Sequence, residues 1–151
     1  MRKLFVIVSI LLLVAFAVQF VLAAVGAFTK PADDDSFALH SVNGVVIIPV
    51  LTVLTILFAA LARAPGRLIG LTILPLGLVV VQAVTAMLAN GSTDAAGVSS
   101  PVGLTIAGLH AVNGIIAVHV VVGILRGARE LANPAPADAI GGVTVREGEP
   151  V

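Results

Sequence analysis

The chain has 151 residues, of which 59% are hydrophobic and 11% charged, and its formal net charge is zero. A mean hydropathy of +1.17 excludes a soluble globular domain, because too little polar surface remains to face water. Zero net charge and the absence of Trp and Tyr argue against nucleic-acid binding. The absence of Cys excludes disulfides, thiolate metal sites and covalent haem attachment.

Four apolar segments are each long enough to cross a bilayer, for which about 20 residues suffice. We predict helices over residues 4–28, 37–62, 68–89 and 102–125, packed as an all-α, polytopic membrane bundle with up-down-up-down connectivity. Pro49 predicts a kink in the second helix. We expect the first helix to be retained, because its apolar run exceeds the roughly 7–15 residues of a signal peptide. Residues 1–126 form the membrane domain, and 127–151 are predicted to be a disordered tail.

Charged residues predict the orientation of the bundle. One side has only Lys30 among Asp33, Asp34, Asp35 and Asp94, whereas the other side is flanked by six basic residues: Arg2, Lys3, Arg63, Arg67, Arg126 and Arg129. Because the positive side of a membrane protein faces the cytoplasm, we expect both termini there.

A six-residue motif occurs twice in the chain. Leu39-His40-Ser41-Val42-Asn43-Gly44 recurs as Leu109-His110-Ala111-Val112-Asn113-Gly114, and the helix before each copy carries one glutamine, Gln19 or Gln82. This pattern predicts two tandem helical hairpins related by a pseudo-twofold axis along the membrane normal. Such an axis brings equivalent residues together at equivalent depth.

The repeated polar residues predict a site inside the bundle. Within each copy His and Asn are three residues apart and Gly four, so all three share one helix face. Helices two and four are diagonal in such a bundle, which places His40 opposite His110. Two opposed imidazoles with amides nearby are what bis-histidine ligation of haem b requires. We therefore predict His40 and His110 as metal ligands, in a cofactor site completed by Asn43, Asn113, Gln19, Gln82, Gly44 and Gly114.

Two alternatives use the same residues. The side chains could form a structural polar seam that fixes helix register, in a non-catalytic subunit that assembles with other membrane proteins. They could also bind a quinone, whose carbonyls accept hydrogen bonds. The charges of the outer loops count against haem, because the loops contain four aspartates and only one basic residue, Lys30, that could pair with the haem propionates.

The sequence does not predict an enzyme. Within the four spans there is no Asp or Glu and no Ser/His/Asp set, and two histidines are too few for a typical zinc site. His119 lies nine residues beyond His110 and faces the opposite way. We expect it to bond to a neighbouring helix or a carbonyl, or to contact a partner subunit or second copy.

The positions of His40 and His110, on the second and fourth helices toward the outer face, resemble one half of haem A synthase and, more loosely, other b-type membrane cytochromes. The resemblance implies haem binding and electron transfer. The chain lacks the acidic residue that haem A synthases use near the first histidine, so their activity is not implied. The stretches DDDSFALHSVNG and ARAPGRLIG are similar to a family of small four-helix membrane proteins of high-GC bacteria without established function, which implies a bacterial plasma membrane.

Overall fold

The computed structural model describes residues 1–31, 35–94 and 98–134. Its four long helices are α1 (Arg2–Phe28), α2 (Ala38–Leu61), α3 (Gly66–Asn90) and α4 (Pro101–Ala132). All four are long and apolar enough to cross a membrane. The prediction of a four-helix, all-α membrane bundle is confirmed.

The helices form a closed ring in chain order. α1 packs against α2 and α4, and α3 packs against the same two helices. α1 and α3 therefore lie on one diagonal of the bundle, and α2 and α4 lie on the other. This is the arrangement that places the two copies of the motif across the core from each other.

The bundle interior uses small and medium-sized side chains. At the basic end, Phe5, Val8 and Ile124 are buried together with four alanines. Ala59 and Ala128 belong to α2 and α4, and Ala62 and Ala64 lie in the turn between α2 and α3. A second cluster lies deeper in the bundle and includes Leu12, Phe16, Ile48, Ala117 and Val121. Alanines at these contacts allow close backbone approach, which drives helix association where lipid is as apolar as the side chains.

Buried hydroxyls are satisfied within their own helices. Ser9 donates to the Phe5 carbonyl, Thr52 to the Ile48 carbonyl and Thr55 to the Leu51 carbonyl, at 2.7–2.8 Å. Each pair is four residues apart, so the hydroxyl needs no partner from a neighbouring helix. These residues therefore leave no polar group unpaired in the apolar interior.

α2 contains one irregular turn. Residues Asn43–Ile47 are π-helical, and the Ile48 N–H donates to the Asn43 carbonyl, five residues earlier. Pro49 follows at the start of the next α-helical segment, where it has no N–H to donate. A kink was predicted at Pro49, and the structure has a wider turn that begins within the first motif and ends just before this proline. His119 is the equivalent of Pro49 in the second hairpin, and α4 is regular there.

The helix boundaries agree with the predicted ones to within two residues except at the end of the chain. α4 continues to Ala132 rather than ending at residue 125, so residues 127–132, predicted as tail, are helical. Ala128 is buried in the core, and Ala, Arg, Glu and Leu all favour helix. The helix ends where Asn133 precedes Pro134, because the residue before a proline disfavours helical backbone. The remainder of the predicted tail, residues 135–151, lies outside the described residues.

Candidate functional site: a histidine pair across the bundle

The two motif histidines meet inside the bundle. The ring centroids of His40 and His110 are 6.4 Å apart, and the ring planes are inclined at 44°. They line a partly open cavity of about 210 Å³. All four helices contribute to its wall, which also includes Gln19, Gln82, Gly44 and Gly114.

Gln19 holds His40 through both backbone and side chain. His40 Nδ1 lies 3.1 Å from the Gln19 carbonyl oxygen, and because a carbonyl only accepts, Nδ1 carries the proton and Nε2 the lone pair. That lone pair accepts a hydrogen bond from Gln19 Nε2 at 3.1 Å. The same amide nitrogen donates to the His40 carbonyl at 3.0 Å. α1 therefore fixes both the tautomer and the orientation of the ring.

Asn43 completes the first half of the site. Its Nδ2 donates to Gln19 Oε1 at 2.7 Å and to the Ala15 carbonyl at 3.0 Å. Both the oxygen and the nitrogen of the Gln19 amide are therefore hydrogen-bonded. At Gly44 a Cβ would lie 2.8 Å from Gln19 Nε2, so only glycine leaves room for this amide.

The second half repeats most of this pattern. His110 Nδ1 donates to the Gln82 carbonyl at 3.1 Å, and Asn113 Nδ2 donates to the Leu78 carbonyl at 2.9 Å. Leu78 precedes Gln82 by four residues, as Ala15 precedes Gln19. A Cβ at Gly114 would lie 3.1 Å from Gln82 Nε2. The structure therefore places six of the eight predicted residues around the cavity, three from each hairpin. Asn43 lies beside the cavity and contacts Gln19, whereas Asn113 contacts the Leu78 carbonyl.

The two halves of the site differ in how many of their glutamine and histidine side-chain atoms form hydrogen bonds. Gln82 Oε1 is buried and has no hydrogen-bond partner among the described residues. His110 Nε2 likewise forms no hydrogen bond within the described part of the chain, because the contacts of this ring, to the Gln82 carbonyl and to Thr85 Oγ1 at 3.2 Å, involve Nδ1. The lone pair of His110 is therefore free, whereas that of His40 is occupied by Gln19.

His119 lies outside this site, as its spacing predicts. It is exposed on the surface of α4, and its Nδ1 lies 2.8 Å from the Ile115 carbonyl. Its partner is thus a carbonyl of its own helix and not a group on a neighbouring one. Among the described residues no cluster of three or more His, Cys, Asp or Glu side chains is placed to hold a metal ion. Within the described residues the two motif histidines therefore form a pair and not part of a larger cluster of this kind.

Sequence reasoning overlooked Thr85. Its hydroxyl donates to the Val81 carbonyl at 2.8 Å and lies close enough to accept from His110 Nδ1–H. The available signal was its position three residues after Gln82, on the same face of α3. Leu22 occupies the corresponding position of the first hairpin, so the contact belongs to the second half alone.

Comparisons with known proteins give one match. No curated protein and no solved structure matches the chain. A family model described as a family of unknown function, DUF6220, matches residues 19–89, just under half of the chain. The match includes Gln19, His40, Asn43, Gly44 and Gln82, but not the second motif. Over this segment, the chain is similar to the DUF6220 family.

Proposed function

We propose that this protein binds haem b between His40 and His110 and serves electron transfer or haem handling in a membrane. The observation that supports the proposal is the geometry of the two rings. They come from diagonal helices, and in both rings Nδ1–H donates a hydrogen bond to a backbone carbonyl. Histidines that bind metals commonly donate their other N–H in this way, which leaves Nε2 as the ligand atom.

The spacing of the two rings supports this proposal. A metal held by both imidazoles, about 2 Å from each nitrogen, with each nitrogen about 1.1 Å from its ring centroid, would place the centroids up to about 6 Å apart. The observed separation is 6.4 Å. Small residues such as Ala83, Ala86 and Ala111 line the intervening cavity, and their short side chains leave space for a flat ligand.

Binding would require two local rearrangements. The Gln19 amide must release His40 Nε2, and the cavity of about 210 Å³ must widen, because typical ligand pockets measure roughly 300–1,000 Å³. The side chain of Phe20, which lines the cavity and is 44% exposed, can move without disturbing the core. None of the described residues that line the cavity is Lys or Arg, so propionates would have to reach the outer rim.

Haem held in this way would supply one-electron transfer. The residues of the chain fix the ligand atoms in advance: the Gln19 and Gln82 carbonyls orient the two imidazoles, and Asn43 and Asn113 hold the paired helices in register. The apolar wall limits access of water to the site. We further propose, from the basic residues at one end of the bundle, that both termini face the cytoplasm.

One observation favours a second function, the structural polar seam. The Gln19 amide already satisfies His40 Nε2, the His40 carbonyl and Asn43, so half of the site is complete without a ligand. In that case His40 and His110 set helix register in a non-catalytic membrane subunit.

Single substitutions separate the two functions. His40→Ala and His110→Ala should each remove the sharp α band of the detergent-purified protein and lower or abolish its Soret band, because each change takes away one of the two imidazoles that would hold the haem. His119→Ala is the matched control, since that ring lies outside the cavity, and its haem content should equal that of the wild type. Loss of thermal stability in the first two variants, with no haem in any of the three proteins, would support the seam and reject haem binding.

A further inference from the structure

A groove opens at the basic end of the bundle, away from the histidine pair. It lies between the start of α3 and the end of α4 and has a volume of about 490 Å³. Leu68, Leu71, Gly123 and Gly127 form its apolar floor. The charged residues on its rim are Arg67, Arg126 and Glu130.

The glycines of α4 shape the floor. A Cβ at Gly127 would lie 2.7 Å from Leu68 Cδ1, and one at Gly123 would lie 3.5 Å from Leu71 Cδ2. Because these two positions are one helical turn apart, they create a shallow trough along α4 into which the leucines of α3 fit. The trough runs from the charged rim toward the membrane interior.

The rim carries net positive charge. Arg67 and Arg126 extend from different helices, and both are exposed. Neither forms an ion pair with a carboxylate of the described residues, and among these residues Glu130, one turn beyond Arg126, is the one acidic side chain that lines the groove. Two guanidinium groups that pair with no carboxylate in this part of the chain thus lie at the mouth of an apolar trough.

We propose that this groove binds an anionic phospholipid of the surrounding bilayer. Arg67 and Arg126 would hold the phosphate from both sides, as arginine pairs bind phosphate well, and one acyl chain would lie over Leu68 and Leu71. Basic pockets between helix ends are where membrane proteins bind anionic headgroups. A free phosphate would use the arginines but leave the apolar floor uncovered, so the lipid accounts for both parts of the groove.

The proposal is independent of haem, and lipid binding to the purified full-length protein tests it. Native mass spectrometry would compare adducts with phosphatidylglycerol and with phosphatidylcholine. We expect the wild type to prefer phosphatidylglycerol. Arg67→Gln and Arg126→Gln should each bind phosphatidylglycerol about fivefold more weakly than the wild type does. Glu130→Gln should bind more tightly, because it removes a negative charge beside the phosphate.

A matched control removes two positive charges elsewhere at the same end. Arg2→Gln/Lys3→Gln alters α1, which does not line the groove, and should retain wild-type affinity. Equal loss in this control and in Arg67→Gln/Arg126→Gln would overturn the proposal in favour of unspecific attraction. Equal binding of both lipids would also overturn it, as would thermal stabilisation by inorganic phosphate equal to that by the lipid. Circular dichroism checks that each variant is folded. If the double variant Arg67→Gln/Arg126→Gln does not fold, each single arginine variant is compared with the control instead.

Discussion

Asn43 and Asn113 occupy equivalent positions but have unequal roles. Asn43 donates to two oxygens, Gln19 Oε1 and the Ala15 carbonyl, whereas among the described residues Asn113 donates to one, the Leu78 carbonyl. Interhelical hydrogen bonds in membrane proteins contribute about 0.6 kcal/mol on average and about 1.7 kcal/mol at most. Removing Asn43 also leaves Gln19 Oε1 without its donor. The first hairpin is therefore more sensitive to loss of its asparagine than the second.

We expect Asn43→Ala to lower the free energy of unfolding by about 1–2 kcal/mol and Asn113→Ala by about 0.6 kcal/mol. Reversible unfolding in mixed micelles would measure both. Asn90→Ala, at the exposed end of α3, is the control and should change little. Equal losses for Asn43 and Asn113 would show that the Gln19 contact contributes nothing.

The hairpins also differ in how tightly their helices pack around glutamine. A Cβ at Gly44 would lie 2.8 Å from Gln19 Nε2, which donates two hydrogen bonds. A Cβ at Gly114 would lie 3.1 Å from Gln82 Nε2, which forms no hydrogen bond with any described residue. We predict that Gly44→Ala destabilises the protein by about 1–3 kcal/mol, through displacement of Gln19, and that Gly114→Ala costs less.

Gly77→Ala is the control for this comparison, because a Cβ at Gly77 meets nothing within 4 Å. It should be neutral or stabilise α3 by up to about 1 kcal/mol, since alanine favours helix over glycine. Thermal unfolding in detergent would rank the three variants. A Gly114→Ala variant less stable than Gly44→Ala would contradict the account.

At the level of helices, the sequence predicted the four spans and their inward face better than it predicted local geometry and the end of α4. Hydropathy alone gave the four spans, and the repeated spacing of His40 and Asn43 gave the face that turns inward. The π-helical turn at Asn43–Ile47 was not predictable from Pro49 alone, because a proline can be accommodated by several distortions. The end of α4 was misplaced because the charged residues after Leu125 suit a helix as well as a loop.

At the level of the molecule, the repeat predicted which helices would be diagonal. It could not predict the acceptors, since Asn43 and Asn113 donate to the backbone carbonyls of Ala15 and Leu78, and a backbone atom leaves no mark in a sequence. Nor could it predict that Gln19 is fully bonded while Gln82 Oε1 has no partner among the described residues. Such differences depend on side-chain rotamers rather than on residue type.

The orientation of the whole bundle follows from its charged ends. Arg2, Arg63 and Arg126 lie at or near the helix ends on one side of the antiparallel bundle, and we expect this side to face the cytoplasm. A reporter fused after Val151 should then be active only in a form that works in the cytoplasm, and one inserted after Ser92 only in a form that works outside it. The reverse pattern would contradict this orientation.

The most direct test of the central claim is an absorption spectrum of the purified protein, oxidised and then reduced with dithionite, with a pyridine haemochrome assay on the same sample. We expect about one haem b per chain and the sharp α band of low-spin iron with two imidazole ligands. A protein that remains colourless after haem supplementation during expression would contradict it.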